Sequence, residues 1–196
     1  MTALPDGILA LRVGELLDSV ADRTPAPGGG AGAALAAALA AGLISMAARF
    51  ADEARLPADL VTRAEALRAR ATPLADADAA AYGRYLEAVR MPRDTDPDAR
   101  RDAVQHALSE ATDVPLTIAQ IAAEVAALGE PLLLDGNPRL HGDAAAGVLL
   151  AAAAAEIAAL LVATNLADSP ADPRGRQAAV LAAGARAIAV TVTPAN

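Results

Sequence analysis

The chain of 196 residues has no cysteine, no tryptophan and no lysine, and it has only one phenylalanine and two tyrosines. Without cysteine there can be no disulfide, no thiol nucleophile and no thiolate-ligated metal. Without lysine, all side-chain positive charge comes from sixteen arginines set against twenty-four acidic residues, a formal net charge of −8. Such a balance argues against a broad nucleic-acid footprint, so no nucleic-acid partner is expected. With so few aromatic residues the core must be filled by small and aliphatic side chains, and 57 of the residues are alanine. Alanine is the strongest helix former, and the residues that mark strands are sparse and rarely alternate. An all-α fold follows, an antiparallel bundle of about six helices in a single domain over residues 1–196. At 55% hydrophobic residues the chain is too apolar to be intrinsically disordered.

Acidic residues appear early in the N-terminal segment, and no basic start precedes an apolar core, so it does not read as a signal peptide and a cytoplasmic location is expected. Residues 31–48 and 144–164 are each long enough to cross a bilayer. Both are carried by alanine, Glu156 interrupts the second, and neither has an arginine asymmetry or an aromatic belt. They are expected to be helices buried in a soluble bundle or at a subunit interface, with no membrane involved.

Along the chain the pattern predicts a helix over residues 8–21, with Leu9, Leu11, Val13, Leu16, Leu17 and Val20 as its apolar set, then a Pro/Gly loop at 24–30. Further helices are expected over 30–51, over 57–90 with Pro73 kinking or splitting it, and from 98 toward 128 with a bend near Pro115 and Gly129 as cap. A loop over 133–141, a helix with Asp143 as N-cap, and a last helix over 174–191 complete the reading.

Three constellations carry chemistry. Gly28-Gly29-Gly30-Ala31-Gly32-Ala33 satisfies G-x-G-x-x-A, but a helix and two prolines precede it and no parallel strand follows, which excludes a dinucleotide fold. What remains is a glycine-fronted helix start whose backbone N–H groups can meet an anion or a carbonyl, or simply a tight entry turn. On the next helix Asp78, Tyr82 and Tyr85 fall at i, i+4 and i+7, so both tyrosines share a face with one carboxylate while Asp76 points elsewhere. A carboxyl group beside apolar surface is suited to proton transfer; a solvated face anchored by two tyrosines is the alternative. The third group is Asn137, Arg139, His141 and Asp143, followed by Glu156, Asn165 and Asp168 in an apolar run whose polar groups need partners.

Taken in order, Leu16-Leu17-Asp18, Thr24-Pro25-Ala26-Pro27-Gly28-Gly29-Gly30, Asp78-Ala79-Ala80-Ala81-Tyr82, Met91-Pro92-Arg93-Asp94-Thr95, Arg101 to Leu108, Val114-Pro115-Leu116, Gly136-Asn137, Asp143 and Thr164-Asn165-Leu166 resemble one family. It is the formiminotetrahydrofolate cyclodeaminase / methenyltetrahydrofolate cyclohydrolase family, and the resemblance covers about residues 10–170. The resemblance implies an all-helical homodimer that binds a tetrahydrofolate-type small molecule in a groove at or near the subunit interface. It implies an enzyme that forms or hydrolyses 5,10-methenyltetrahydrofolate with Asp78 as general acid/base, and with neither metal nor cofactor.

Pro27, Gly28, Gly29 and Gly30 are the implied substrate loop, Tyr82 and Tyr85 border the rings, and Asn137, Asp143 and Asn165 complete the implied site. Arg93 and Arg139 are the candidates for the anionic glutamyl tail. The chain departs from the family pattern after Phe50, where only Arg55 is basic, at Gly142 in place of a serine, and at Leu161 in place of an asparagine. A same-fold enzyme with another small substrate and a non-catalytic helical dimer are the alternatives. With no formiminotransferase segment in the sequence, the water reaction is favoured over the ammonia-releasing one.

Overall fold

A computed structural model describes residues 7–52, 55–92 and 96–192. All regular structure among them is helical: α1 (Val13–Ala21), α2 (Gly29–Arg49), α3 (Leu60–Ala71), α4 (Leu74–Val89), α5 (Pro97–Asp135), α6 (His141–Asn165) and α7 (Pro173–Ala189), with 3₁₀ turns at Ile8–Ala10 and Pro138–Leu140. The chain thus forms the expected all-α bundle. The segment expected over 57–90 is two helices because Pro73, which has no N–H to donate, separates α3 from α4. α5 and α7 start alike: Asp96 and Asp172 accept the backbone N–H two residues on, and proline fills the first helical position.

α2 and α6 form the centre and run antiparallel. Ala158 clusters with Ala31, Ala33 and Ala34, whereas Gly147 faces Ile44 and the Ala40 carbonyl near the other end of α2. α5 packs on both, α3 and α4 cover α2, and α7 covers α6 and α5. The alanine face of α2 (Ala33, Ala34, Ala37, Ala40, Ala41) is fully buried, and its small side chains let the backbones approach closely.

Ile44 is the large residue of this contact. It is seated between two glycines, since a Cβ on Gly129 or on Gly147 would lie 2.6 or 2.8 Å from its Cδ1. Gly129, expected to cap its helix, therefore sits inside α5 and is kept small by Ile44. Packing of Ala126, Leu128 and Leu132 carries α5 through Pro115 and Pro131 to Asp135, a case of tertiary burial overriding local breakers.

Two further expectations are corrected. Most of the loop expected over 133–141 is helical, and the 3₁₀ turn runs straight into α6 at His141, so Asp143 lies in the first turn rather than at the N-cap. The helix expected over 8–21 is a 3₁₀ turn followed by the short α1, none of whose residues is buried: Val13 is 74% and Leu17 64% exposed. By length and composition Gly29–Arg49, Pro97–Asp135 and Pro138–Asn165 could each cross a membrane, and about half of each apolar window is buried inside the bundle.

Candidate functional site

The N-terminus of α2 is built without a side-chain cap. Gly28 holds the cap position in extended conformation; its carbonyl accepts the Gly32 N–H at 3.0 Å, but it has no side chain to accept the N–H groups before it. The acceptor comes from another helix instead: the Asp78 carboxylate on α4 accepts the Ala31 N–H at 3.1 Å. The approach requires glycine at position 30, because a Cβ there would lie under 3.0 Å from Oδ1, Cγ and Oδ2 of Asp78. The glycine turn and Asp78 are separate motifs in the sequence; the structure brings them into contact. Burial pushes the Asp78 carboxyl above the ordinary aspartate range, and the Ala31 N–H offsets part of that rise.

Tyr82 and Tyr85 lie one and two turns further along, ring centroids 6.2 Å apart and planes tilted by 31°. Tyr82 is 42% exposed, which leaves an aromatic face open beside the carboxylate. The arrangement offers a half-buried carboxyl group able to give and take a proton, a row of backbone N–H groups, and ring surface.

Asp76, two residues before Asp78, faces another way, as expected. Its Oδ1 accepts the Ile8 N–H at 2.6 Å, where Gly7, with φ of 79°, makes the turn. It also lines a cavity of about 730 Å³ between the Thr24–Pro27 segment and the Ala79, Ala80 and Gly83 face of α4. No motif in the sequence marked this cavity. Asp76, Ala80, Gly83 and Glu87 recur at i, i+4, i+7 and i+11, a second face of α4 that the same helical arithmetic would have exposed.

The remaining candidates lie elsewhere. Asn137 donates from Nδ2 to the Phe50 carbonyl at 3.1 Å and accepts the Arg139 N–H at 3.0 Å. Asn137, Arg139 and Asp143 thus cluster where α2 ends, and 21 residues of α2, about 30 Å, separate that end from Asp78. Asn165 donates to the Ala111 carbonyl at 2.9 Å and ties α6 to α5. Pro27 is buried and lines the cavity, and Arg93 lies outside the described residues. No cluster of three or more potential metal ligands occurs among the described residues.

Residues 12–190 match the model of the formiminotransferase-cyclodeaminase family. The methenyltetrahydrofolate cyclohydrolase of Methylorubrum extorquens is 35% identical over 158 residues, 76% of this chain and 76% of that protein. The formimidoyltransferase-cyclodeaminase of Sus scrofa is 36% identical over 133 residues, which are 63% of this chain and 25% of that protein, so the match spans about a quarter of its length. The crystal structure of a formiminotetrahydrofolate cyclodeaminase from Thermotoga maritima superposes with a TM-score of 0.75 over 94% of this chain and 98% of that one, at 24% identity. At that identity the likeness is one of fold.

Proposed function

The chain belongs to the formiminotransferase-cyclodeaminase family, and on that premise we propose that it is a folate one-carbon enzyme that hydrolyses 5,10-methenyltetrahydrofolate. The observation that carries the reading is the Asp78 carboxylate, raised by burial and held against the glycine-fronted start of α2. Water is preferred to ammonia because the relative matched over three quarters of both chains is named a cyclohydrolase.

The bridging carbon of the substrate is an amidinium-type cation, open to attack by water. Asp78, as carboxylate, takes a proton from that water as the C–O bond forms. It then returns the proton to N5 as the C–N5 bond of the tetrahedral intermediate breaks, leaving the formyl group on N10. The remaining hydroxyl proton passes to solvent as the carbonyl forms. A carboxyl group working in both directions benefits from a pKa moved toward the working pH, a contribution of roughly 10²- to 10⁴-fold. No cofactor enters this scheme.

The distance between Asp78 and the Asn137–Asp143 cluster is explained by a homodimer, which we include in the proposal. α2 carries an outward apolar stripe in which Leu39, at the helix midpoint, is 64% exposed and Leu35, Leu43 and Met46 are half-buried, and the exposed Phe50 continues it past the helix end. Two copies packed about a two-fold axis near Leu39 set the α2 helices antiparallel, in the self-complementary contact such symmetry requires. Each Asp78 then lies near the other copy's Asn137–Asp143 end, and Arg139 of the partner subunit is placed to meet the glutamyl tail. The experiment is spectroscopic: purified protein should accelerate the loss of 5,10-methenyltetrahydrofolate absorbance over buffer, and the absence of acceleration in a folded sample would refute the assignment.

A further inference from the structure

The cavity on the second face of α4 has no role in the scheme above, although its volume of about 730 Å³ lies in the range of small-molecule sites. Its walls are flat and apolar: Pro25 and Pro27 on one side, and on the other Ala79, Ala80 and Gly83, which carry almost no side chain. Its charge is one-sided. Asp22, Asp76 and Glu87 line it, and its one cationic lining residue among those described, Arg84, is drawn to Glu110 at 2.9 Å. Such a slot suits a planar ring with hydrogen-bond donors on its edge and disfavours an anion. The end beside Asp76 is firmly built: the carboxylate holds the Ile8 N–H, Ile8 is 4% exposed, and Gly7 packs too closely on the Asp76 carboxyl group to tolerate a Cβ. One Asp76 oxygen is used there, and a carboxylate has further lone pairs to offer.

We propose that this cavity binds the aminopyrimidinone end of the substrate, its N–H and NH₂ edge toward Asp76 and its ring between the prolines and the bare face of α4. The proposal rests on the folate reading and divides the substrate by charge. The donor-rich ring enters the acidic cavity, and the glutamyl carboxylates stay outside it. Pro27 lines the cavity and Gly30 meets Asp78, so the segment Pro27 to Gly30 joins the two sites.

Calorimetric titration of the full-length protein with two fragments tests it, 6-methyltetrahydropterin for the ring and 4-aminobenzoylglutamate for the tail. The pterin should bind the wild type, and Ala80→Phe, which fills the cavity from an exposed position of α4, should weaken it at least tenfold while leaving the tail fragment unchanged. Glu87→Arg provides a second variant and should weaken the pterin in the same way. Unchanged pterin affinity in both variants, with wild-type melting, would overturn the proposal, as would failure of the wild type to bind the pterin. Turnover separates this inference from the folate reading. Methenyltetrahydrofolate hydrolysis with an unaltered KM in Ala80→Phe would overturn the cavity and leave the enzyme assignment standing. Pterin binding lost in Ala80→Phe, in a wild type without turnover, would support the cavity and overturn the hydrolase.

Discussion

Two glycines on the first turn of α2, one turned inward and one outward, should respond oppositely to the same substitution. A Cβ on Gly32 meets nothing within 4 Å, so Gly32→Ala adds helix propensity without a clash and should stabilise by up to about 1 kcal/mol. A Cβ on Gly30 would fall under 3.0 Å from three atoms of the Asp78 carboxyl group. The carboxylate must then swing away and lose the Ala31 N–H, or the start of α2 must shift. Overpacking costs about 1–3 kcal/mol, and a hydrogen bond to a charged group contributes about 1.5–3 kcal/mol. Against a propensity gain of about 1 kcal/mol, either route leaves Gly30→Ala destabilised by up to roughly 2 kcal/mol where Gly32→Ala is stabilised, and its turnover should fall with the displaced carboxylate. Urea midpoints of the two variants and of Gly30→Ala/Asp78→Ala measure this directly. The double variant, with the carboxyl group gone, should recover part of the loss. If Gly30→Ala is as stable as Gly32→Ala, or if removing the carboxyl group brings no recovery, the Asp78–Gly30 contact is not what the geometry says.

Asp78 should also cost stability at neutral pH. Its native pKa is raised, so the native state holds the proton more tightly than the unfolded chain, whose aspartate titrates near about 3.9; the penalty is absent below that value and grows as pH rises through the native pKa. Asp78→Asn keeps an acceptor for Ala31 and carries no charge, so its urea midpoint should exceed that of the wild type at pH 7, with the advantage shrinking toward pH 3; an advantage that grew toward acid would refute this. Leu39→Glu sets two like charges at the centre of the proposed dimer and should give a folded monomer by light scattering, with turnover lost. A variant that remains dimeric would remove α2 from the interface.

The all-α fold was legible because alanine dominates and its helical spacing is unambiguous. Pro73 marked a break that the structure contains, and the shared face of Asp78, Tyr82 and Tyr85 followed from helical arithmetic. What escaped the sequence depends on contacts distant along the chain. Gly129 has the local signature of a helix end, yet it is glycine because Ile44, on another helix, occupies the space. Asp143 has the signature of a cap, but the 3₁₀ turn capped by Asn137 starts the helix earlier. The direct contact of Asp78 with the Ala31 N–H was invisible because it joins residues 47 apart in the chain. The outward-facing apolar residues of α1 show that an apolar set at helical spacing does not by itself say what covers it.

In the proposed mechanism one carboxyl group of α4 moves the proton and its neighbour two residues away does not. The kcat for 5,10-methenyltetrahydrofolate hydrolysis, measured side by side for wild type, Asp78→Asn and Asp76→Asn with all three shown to be folded, tests it most directly. The expected loss is roughly 10²- to 10⁴-fold for Asp78→Asn, with a far smaller change in kcat for Asp76→Asn. Equal losses in both, or wild-type kcat in Asp78→Asn, would contradict it.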